Sequence, residues 1–106
     1  MSKTNKQKLG SKLKSLRVAK GKLLRQVAAD LDIDSAVLSK IENNVILPND
    51  KLVKKLSDYY KIDLDNLRID VYSEKIVRQY GTFRHAGKMV DAIKDKLHTY
   101  EAGTDK

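Results

Sequence analysis

Residues 27–43, VAADLDIDSAVLSKIEN, contain two short helical patterns with only three residues between them. The interruption is residues 32–34, and Asp34 can cap the second helix because its carboxylate accepts hydrogen bonds from N–H groups of the first turn. The apolar positions that repeat with a helical period, and are expected to face the core, are Val27, Ala28 and Leu31 in the first helix and Val37, Leu38 and Ile41 in the second. Two helices joined by so short a turn must pack together, and the spacing predicts a helix-turn-helix.

The second helix of this motif has a small, polar outer face. With its apolar residues turned to the core, the side chains left on the outside are Ser35, Ala36, Ser39 and Lys40. In a helix-turn-helix this second helix enters the major groove of DNA. There, Lys40 can donate to guanine, the two serines can donate or accept, and Ala36 can contact a thymine methyl group. These four residues are the predicted base contacts; the alternative is a short polar face that is only solvated.

The same stretch resembles the helix-turn-helix of the lambda repressor/Cro class, also called Xre-like regulators. LGSKLKSLRVAKG resembles the first helix of that family, and ILPNDKLVKKLSDYYKIDLDNL resembles its fourth helix and the start of its fifth. The likeness covers residues 9–67. It implies an all-α fold, with a five-helix lambda-repressor-like DNA-binding domain followed by an extended C-terminal helical segment. It also implies that Asn43 meets the DNA backbone.

The chain departs from the family pattern at two places. Asp32 stands in the turn where the family usually has glycine, and aspartate tolerates a left-handed backbone better than most residues. Leu23 and Leu24 stand where the family often has Ser-Gln, whose glutamine contacts a phosphate. Arg25 or Gln26 can take over that contact.

Positive charge is concentrated at the N-terminus. The formal net charge is +8, and residues 1–25 contain nine lysines and arginines and no acid. A localised basic patch is the electrostatic signature of a polyanion partner. The predicted contacts to the DNA backbone are Lys12, Lys14, Arg17, Lys20, Lys22, Arg25, Gln26 and Asn43. Residues 1–8 are predicted to be a basic disordered arm, in which Lys3, Lys6 and Lys8 either follow the neighbouring backbone or minor groove or form a mobile solubilising tail.

The other helices follow from apolar spacing and from residues that begin or end a helix. We expect helices over residues 9–19, 23–31, 35–43, from 49 or 50 onward, from 63–65 to 80, and 85–100. Gly21 should end the first, because glycine commonly follows a helix in a left-handed conformation. Asn43 and Asn44 should end the third for a similar reason. Pro48 excludes helix from the loop before the fourth.

Two apolar stripes extend beyond the predicted DNA-binding domain, in residues 68–106. The stripe of the last helix, spaced as a heptad seam, is Ala86, Val90, Ile93, Leu97 and Tyr100. The stripe of the preceding helix is Ile69, Tyr72, Ile76, Tyr80 and Phe83. They either pack on each other as a hairpin or cover a second subunit. We favour dimerisation through the last helix, because readers of this kind usually work as symmetric pairs.

Several classes of function are disfavoured. The chain has no cysteine, no apolar run long enough to span a bilayer and no signal-peptide pattern, so we expect a cytoplasmic protein. His85 and His98 stand alone near the C-terminus, no serine has a nearby histidine to activate it, and no phosphate-binding glycine motif occurs. We therefore expect no enzyme activity, no cofactor and no metal.

The sequence thus predicts a transcription regulator that binds double-stranded DNA in a sequence-specific manner, as a homodimer on a two-fold operator. Repression or autoregulation is what the resemblance implies. One alternative is the antitoxin of a toxin–antitoxin pair, in which the C-terminal helices would cover a toxin. The other is a scaffold that kept the fold without binding DNA.

Overall fold

The computed structural model describes residues 7–104, and within them the chain forms six α-helices and no strand. The helices are α1 (Leu9–Ala19), α2 (Leu24–Leu31), α3 (Ser35–Glu42), α4 (Asp50–Tyr60), α5 (Leu64–Tyr80) and α6 (Ala86–Thr104). The predicted all-α class is confirmed. The predicted ends of α2 and α3 differ by one residue from those observed, and α6 continues four residues beyond its predicted end.

Left-handed residues separate the first five helices. Gly21 follows α1 with φ 72°, Asp32 follows α2 with φ 57°, and Asn44 follows α3 with φ 64°. These are the positions at which the sequence predicts such a backbone. Lys61 also adopts it, with φ 56° after α4, although lysine has no intrinsic preference for this region. Each of these helices thus ends at a local backbone turn, and the turn reverses the chain so that the next helix packs on the same core.

Side chains begin three of these helices, and in α5 the Asp63 carboxylate accepts a hydrogen bond from the Asn66 N–H at 2.9 Å. The Asp34 carboxylate accepts a hydrogen bond from the Ala36 N–H at 3.0 Å, and Asn49 accepts one from Leu52 at 2.9 Å. α2 begins differently, because the Leu23 side chain cannot accept a hydrogen bond. There the Gln26 side chain reaches back and accepts from the Leu23 N–H at 2.8 Å, which is one half of a capping box.

A single apolar core lies between α1, α2, α3, α4 and the first half of α5. Its buried members are Leu13, Val27, Ala28, Leu31, Leu38, Ile41, Leu52, Val53, Leu56, Leu67 and Val71. The prediction that Val37 faces this core is wrong, because its side chain is 36% exposed. At about 100° per residue, Leu38, Ile41 and Glu42 define the buried face of α3, and Val37 lies about 90° from its centre. The burial of Glu42 shifts that face away from Val37.

The chain divides into two compact units, one ending at Glu74 and the other beginning at Lys75. The first contains the core described above. The second contains the last residues of α5, the connection from residue 81 to residue 85 and the whole of α6. None of the α6 side chains that the structure describes is buried. The two units therefore differ in kind, since only the first has a closed apolar interior.

Candidate nucleic-acid interface

The outer face of α3 carries the four predicted base contacts. Ala36 and Lys40 are exposed, and Ser35 and Ser39 are partly exposed. Asn43, which follows the helix, donates from Nδ2 to the Ser39 Oγ at 3.3 Å. This bond leaves the Ser39 hydroxyl hydrogen free to turn toward another acceptor. The face is therefore polar and open, and it combines neutral groups that both donate and accept with one cation.

The C-terminal end of α3 is tied to α1 by an ion pair. Arg17 Nε donates to both carboxylate oxygens of Glu42, at 3.2 and 2.9 Å, and its Nη2 donates to Oε1 at 3.1 Å. Its Nη1 donates to the Lys22 carbonyl at 2.9 Å. The side chains are only 12% and 3% exposed, and the hydrogen bond to Glu42 raises the pKa of Arg17.

This geometry corrects the prediction that Arg17 contacts the DNA backbone. Its guanidinium group is directed at Glu42 and at the Lys22 carbonyl, and it is largely covered by protein. To reach a phosphate it would have to leave a nearly buried carboxylate without a partner, at a cost of several kcal/mol. Arg17 therefore ties α1 to the end of α3, and in this conformation its guanidinium group is not directed toward solvent where a phosphate could bind.

A second contact fixes the same end of α3. The Gly10 N–H donates to Asn44 Oδ1 at 2.8 Å, across from α1 to the residue that ends α3. A Cβ atom at residue 10 would collide with the carbonyl oxygen of Ile41. Glycine is required there because the α1 backbone lies directly against the last turn of α3. Together, the two contacts hold the C-terminal end of α3 against α1.

The other residues predicted to contact the DNA backbone lie at the surface, and they differ in whether their side chains already have a partner in the protein. Lys14 and Arg25 are exposed, as is Gln26, whose Oε1 is used in the cap of α2. Lys12 pairs with Asp70 at 3.6 Å, and Lys22 pairs with Asp30 at 3.4 Å. Lys20 lies 4.8 Å from the centre of the Tyr59 ring. Such exposed ion pairs are weak, so a phosphate can displace them. Of the predicted arm, Lys3 and Lys6 lie outside the described residues, and Lys8 is exposed.

Two tyrosines pack beside this region in contrasting ways. The Tyr59 hydroxyl donates to Asp30 Oδ2 at 2.6 Å, and burial together with this bond raises the pKa of Tyr59 to about 12. The same bond lowers the pKa of Asp30. The Tyr60 hydroxyl is buried and has no hydrogen-bond partner among the described residues. Burial raises the pKa of Tyr60 to about 12 as well.

The comparison with known families agrees with this geometry. A family model described as helix-turn-helix matches residues 13–67, slightly more than half of the chain. The chain belongs to the Cro/C1-type helix-turn-helix family. It is accordingly a DNA-binding transcriptional regulator. No curated protein and no solved structure gives a significant match.

The described part of the chain has neither a candidate membrane span nor a candidate metal site. None of its helices is long and apolar enough to cross a membrane. No group of histidine, aspartate and glutamate side chains in it is arranged to hold a metal ion.

Three residues that position α3 were not found from the sequence: Gly10, Glu42 and Asn44 in its contact with α1. Glu42 could have been recognised, because it stands four residues after the buried Leu38 and so on the same face of α3. A carboxylate on a buried face requires a partner, and Arg17 supplies it. For Gly10 there was no such signal, since its neighbours come from a distant part of the chain.

The predicted dimerisation stripe on α6 is open. Val90, Ile93, Leu97 and Tyr100 are between 38% and 68% exposed, and Ala86 is partly buried. The stripe on α5 is similarly exposed at Ile69, Tyr72, Ile76, Tyr80 and Phe83.

Proposed function

We propose that this chain is a repressor or autoregulator that binds a two-fold operator in double-stranded DNA as a homodimer. The observation that carries the proposal is the arrangement of α3. Its C-terminal end is anchored to α1 through Glu42 and Asn44, and its outer face is polar and open. A helix held in this way can enter the major groove as a rigid element, which is what reading base edges requires.

In this proposal the base contacts are made by Ser35, Ala36, Ser39 and Lys40. Lys40 is the cation of the group and is suited to the acceptor atoms of guanine. Ala36 presents a methyl group that fits against thymine. The serines add donors and acceptors whose hydrogens can rotate to suit the base pair.

The backbone contacts are assigned by availability. Lys14 and Arg25 are exposed and are the first candidates for phosphates. Lys12, Lys20 and Lys22 can join them by exchanging weak surface contacts for stronger ones to phosphate. Gln26 can donate from its amide nitrogen while its oxygen caps α2, and Asn43 lies at the end of the recognition helix. Contacts of this kind position the protein and carry no sequence information.

The dimer is assigned to α6. Its exposed stripe Ala86, Val90, Ile93, Leu97 and Tyr100 has heptad spacing, and the remaining described charges of the helix are balanced, with Lys88, Lys94 and Lys96 against Asp91, Asp95 and Glu101. A neutral helix with an apolar seam is suited to a second copy of itself, because no net repulsion opposes the pairing. Joining two heads lets two half-sites one DNA turn apart be bound together.

The DNA-reading part of the proposal is tested by comparing Lys40→Ala with Lys14→Ala. An operator is first selected from a random duplex pool, and the affinity of each variant is then measured for that operator and for random duplex. Lys40→Ala should lose about 1–3 kcal/mol on the operator and much less on random DNA, because a base contact is removed.

Lys14→Ala is the matched control for that experiment. It should weaken both duplexes to a similar extent and should reduce the salt dependence of binding by about one unit of slope for the lost phosphate contact. If Lys40→Ala leaves the preference for the operator unchanged, the placement of α3 in the groove is wrong.

Dimerisation is tested by Leu97→Glu. A carboxylate at the centre of a paired seam would be buried without a counter-ion, which costs several kcal/mol and should separate the subunits. His98→Glu is the control, since it adds the same charge one residue along, on an exposed position outside the seam. Sedimentation velocity should show a dimer for the wild type and His98→Glu, and a helical monomer for Leu97→Glu. A monomeric wild type at tens of micromolar would rule out this dimer.

The exposed α6 stripe also suits an antitoxin, in which it would be covered by a toxin instead of a second copy. The same sedimentation experiment separates the two. A monomer that pairs in one-to-one stoichiometry with a co-encoded protein through Leu97, and only then gains operator affinity, would favour the antitoxin.

A further inference from the structure

A second basic region lies outside the DNA-binding head. Between Glu74 and Asp91 the chain contains no acidic residue and has four lysines and arginines, at Lys75, Arg78, Arg84 and Lys88. This run includes the last residues of α5, the connection to α6 and its first turn. The net charge of residues 67–106 is small, so this basic region becomes apparent only when the charges are counted over a short segment.

Aromatic rings stand among these cations. Tyr80 is 41% exposed and Phe83 is 50% exposed, although aromatic rings of this size are usually well covered. The Phe83 and His85 rings meet edge to face with 5.8 Å between their centres. The His85 ring therefore contacts the Phe83 ring at the surface without covering it.

Backbone hydrogen bonds hold these groups close together. The Phe83 N–H donates to the Tyr80 carbonyl at 2.9 Å, and the Ala86 N–H donates to the Phe83 carbonyl at 3.0 Å. The connection is thus a pair of tight turns rather than an extended loop. Arg84 lies within it, beside Phe83, and Lys88 lies one helical turn further on in α6. Rings and cations are presented together at one end of the second unit.

We propose that this turn, residues 80–88, binds single-stranded DNA. Arg84 and Lys88 contact the phosphates, and unpaired bases stack on Phe83 and Tyr80. Proteins that bind single strands combine a positively charged surface with exposed rings for the bases, and this turn presents both. Bases in a duplex are stacked on one another and offer no free face, so the exposed rings favour a single strand over a duplex.

The choice of DNA follows from the head of the same chain, which belongs to a DNA-binding family and brings the protein to DNA. The proposal does not depend on the operator or on dimerisation through α6. An acidic protein could pair with the same cations, but it would make no specific use of two exposed rings. That partner is treated as an outcome of the experiment.

The test measures the fluorescence anisotropy of labelled oligothymidylate titrated with the full chain. Phe83→Ala should weaken binding roughly 5- to 150-fold, the loss expected for one stacked base. Phe83→Tyr keeps a ring and should restore most of the affinity, whereas Phe83→Leu keeps the apolar volume without the ring and should not. The tyrosine variant therefore separates stacking from a merely structural role of the residue. Far-UV circular dichroism checks that α6 remains helical in each variant.

The cations are tested with the double variant Arg84→Ala/Lys88→Ala. It should lose at least 10-fold in affinity for oligothymidylate and should flatten the dependence on salt, because about two phosphate contacts are removed. The matched control is Lys94→Ala/Lys96→Ala, which removes two exposed cations from the same helix outside the turn. It should change the affinity less than 3-fold.

Several results would overturn the proposal. One is equal weakening by the two double variants, which would indicate only overall charge. Equal loss of affinity for a random duplex and for oligothymidylate would show a general phosphate contact, and a preference for oligouridylate would exclude DNA as the strand. Competition by poly-glutamate at the same charge concentration as oligothymidylate would favour an acidic protein. Lys40→Ala should leave oligothymidylate binding intact, so failure of the operator proposal is distinguishable from failure of this one.

Discussion

The ion pair between Arg17 and Glu42 should be the most sensitive polar contact in the head. We consider Arg17→Met, Glu42→Leu and the double variant, because methionine and leucine fill similar volumes without charge. In either single variant the remaining charge stays in a site where the side chains are 12% and 3% exposed. Leaving a charge in such a place without its partner costs about 3–5 kcal/mol.

A loss of this size is a large part of the total free energy of unfolding. At about 0.05–0.15 kcal/mol per residue, a unit that ends at Glu74 has a free energy of unfolding of roughly 4–11 kcal/mol. Either single variant should therefore unfold at a much lower urea concentration than the wild type. The double variant removes both charges, so its loss should be smaller than the sum of the two by about 1–3 kcal/mol. Urea unfolding followed by circular dichroism measures all four corners of this cycle.

Lys14→Met is the control, since Lys14 is an exposed cation of the same helix and its replacement should change the free energy of unfolding by no more than about 0.5 kcal/mol. Arg17→Met and Lys14→Met should then differ in kind. The first lowers stability, and the second weakens DNA binding. If instead Arg17→Met keeps the stability of the wild type and weakens binding to all duplexes, Arg17 is a phosphate contact and the positioning role argued here is refuted.

Two further comparisons each use a pair of residues of the same type in opposite environments. Tyr60→Phe removes a buried hydroxyl without a partner and should raise the free energy of unfolding by about 1 kcal/mol, whereas Tyr59→Phe removes the bond to Asp30 and should lower it. Burial raises the pKa of Tyr59 and of Tyr60 to about 12. The part of the free energy of unfolding that depends on their protonation is therefore complete below about pH 10 and is lost as the pH rises to about 12. Tyr60→Phe lacks one of these two groups, so its free energy of unfolding in urea titrations should fall less over that range. Gly10→Ala should destabilise the head by more than about 1 kcal/mol through its collision with the α3 backbone. Gly87→Ala, which meets no atom, should be neutral or stabilising in thermal unfolding.

The helices could be predicted from the sequence because their limits are set by local chemistry. Gly21, Asp32 and Asn44 each adopt the left-handed backbone that their residue type favours, and Asp34 caps α3 as expected. Lys61 shows where local reasoning ends. Nothing in a lysine side chain favours φ 56°, and this conformation belongs to a turn in which the Ile62 N–H donates to the Ser57 carbonyl at 3.1 Å and the Ser57 hydroxyl donates to the Ile62 carbonyl at 2.6 Å.

The candidate site was harder to predict because its geometry depends on contacts between residues that are distant in the sequence. Arg17 and Glu42 stand far apart in the sequence, so even where the position of Glu42 indicates that it needs a partner, the sequence does not identify Arg17 as that partner. Once they pair, the buried face of α3 includes Glu42, and Val37 moves to its edge. The burial of the Arg17 side chain and the exposure of Val37 therefore have the same cause.

With the base contacts proposed above, the way α3 is held lets its outer face vary independently of the contacts that fix the helix. The contacts that fix the helix, from Gly10 and Arg17, reach its last turn and the residue after it. Ala36 and Lys40 point away from those contacts and take no part in the core. Substitution on the outer face should therefore change base preference with little effect on folding, since exposed helix positions usually contribute less than about 0.5 kcal/mol. In the proposed mode of binding, stability and sequence preference are thus carried by different faces of a single eight-residue helix.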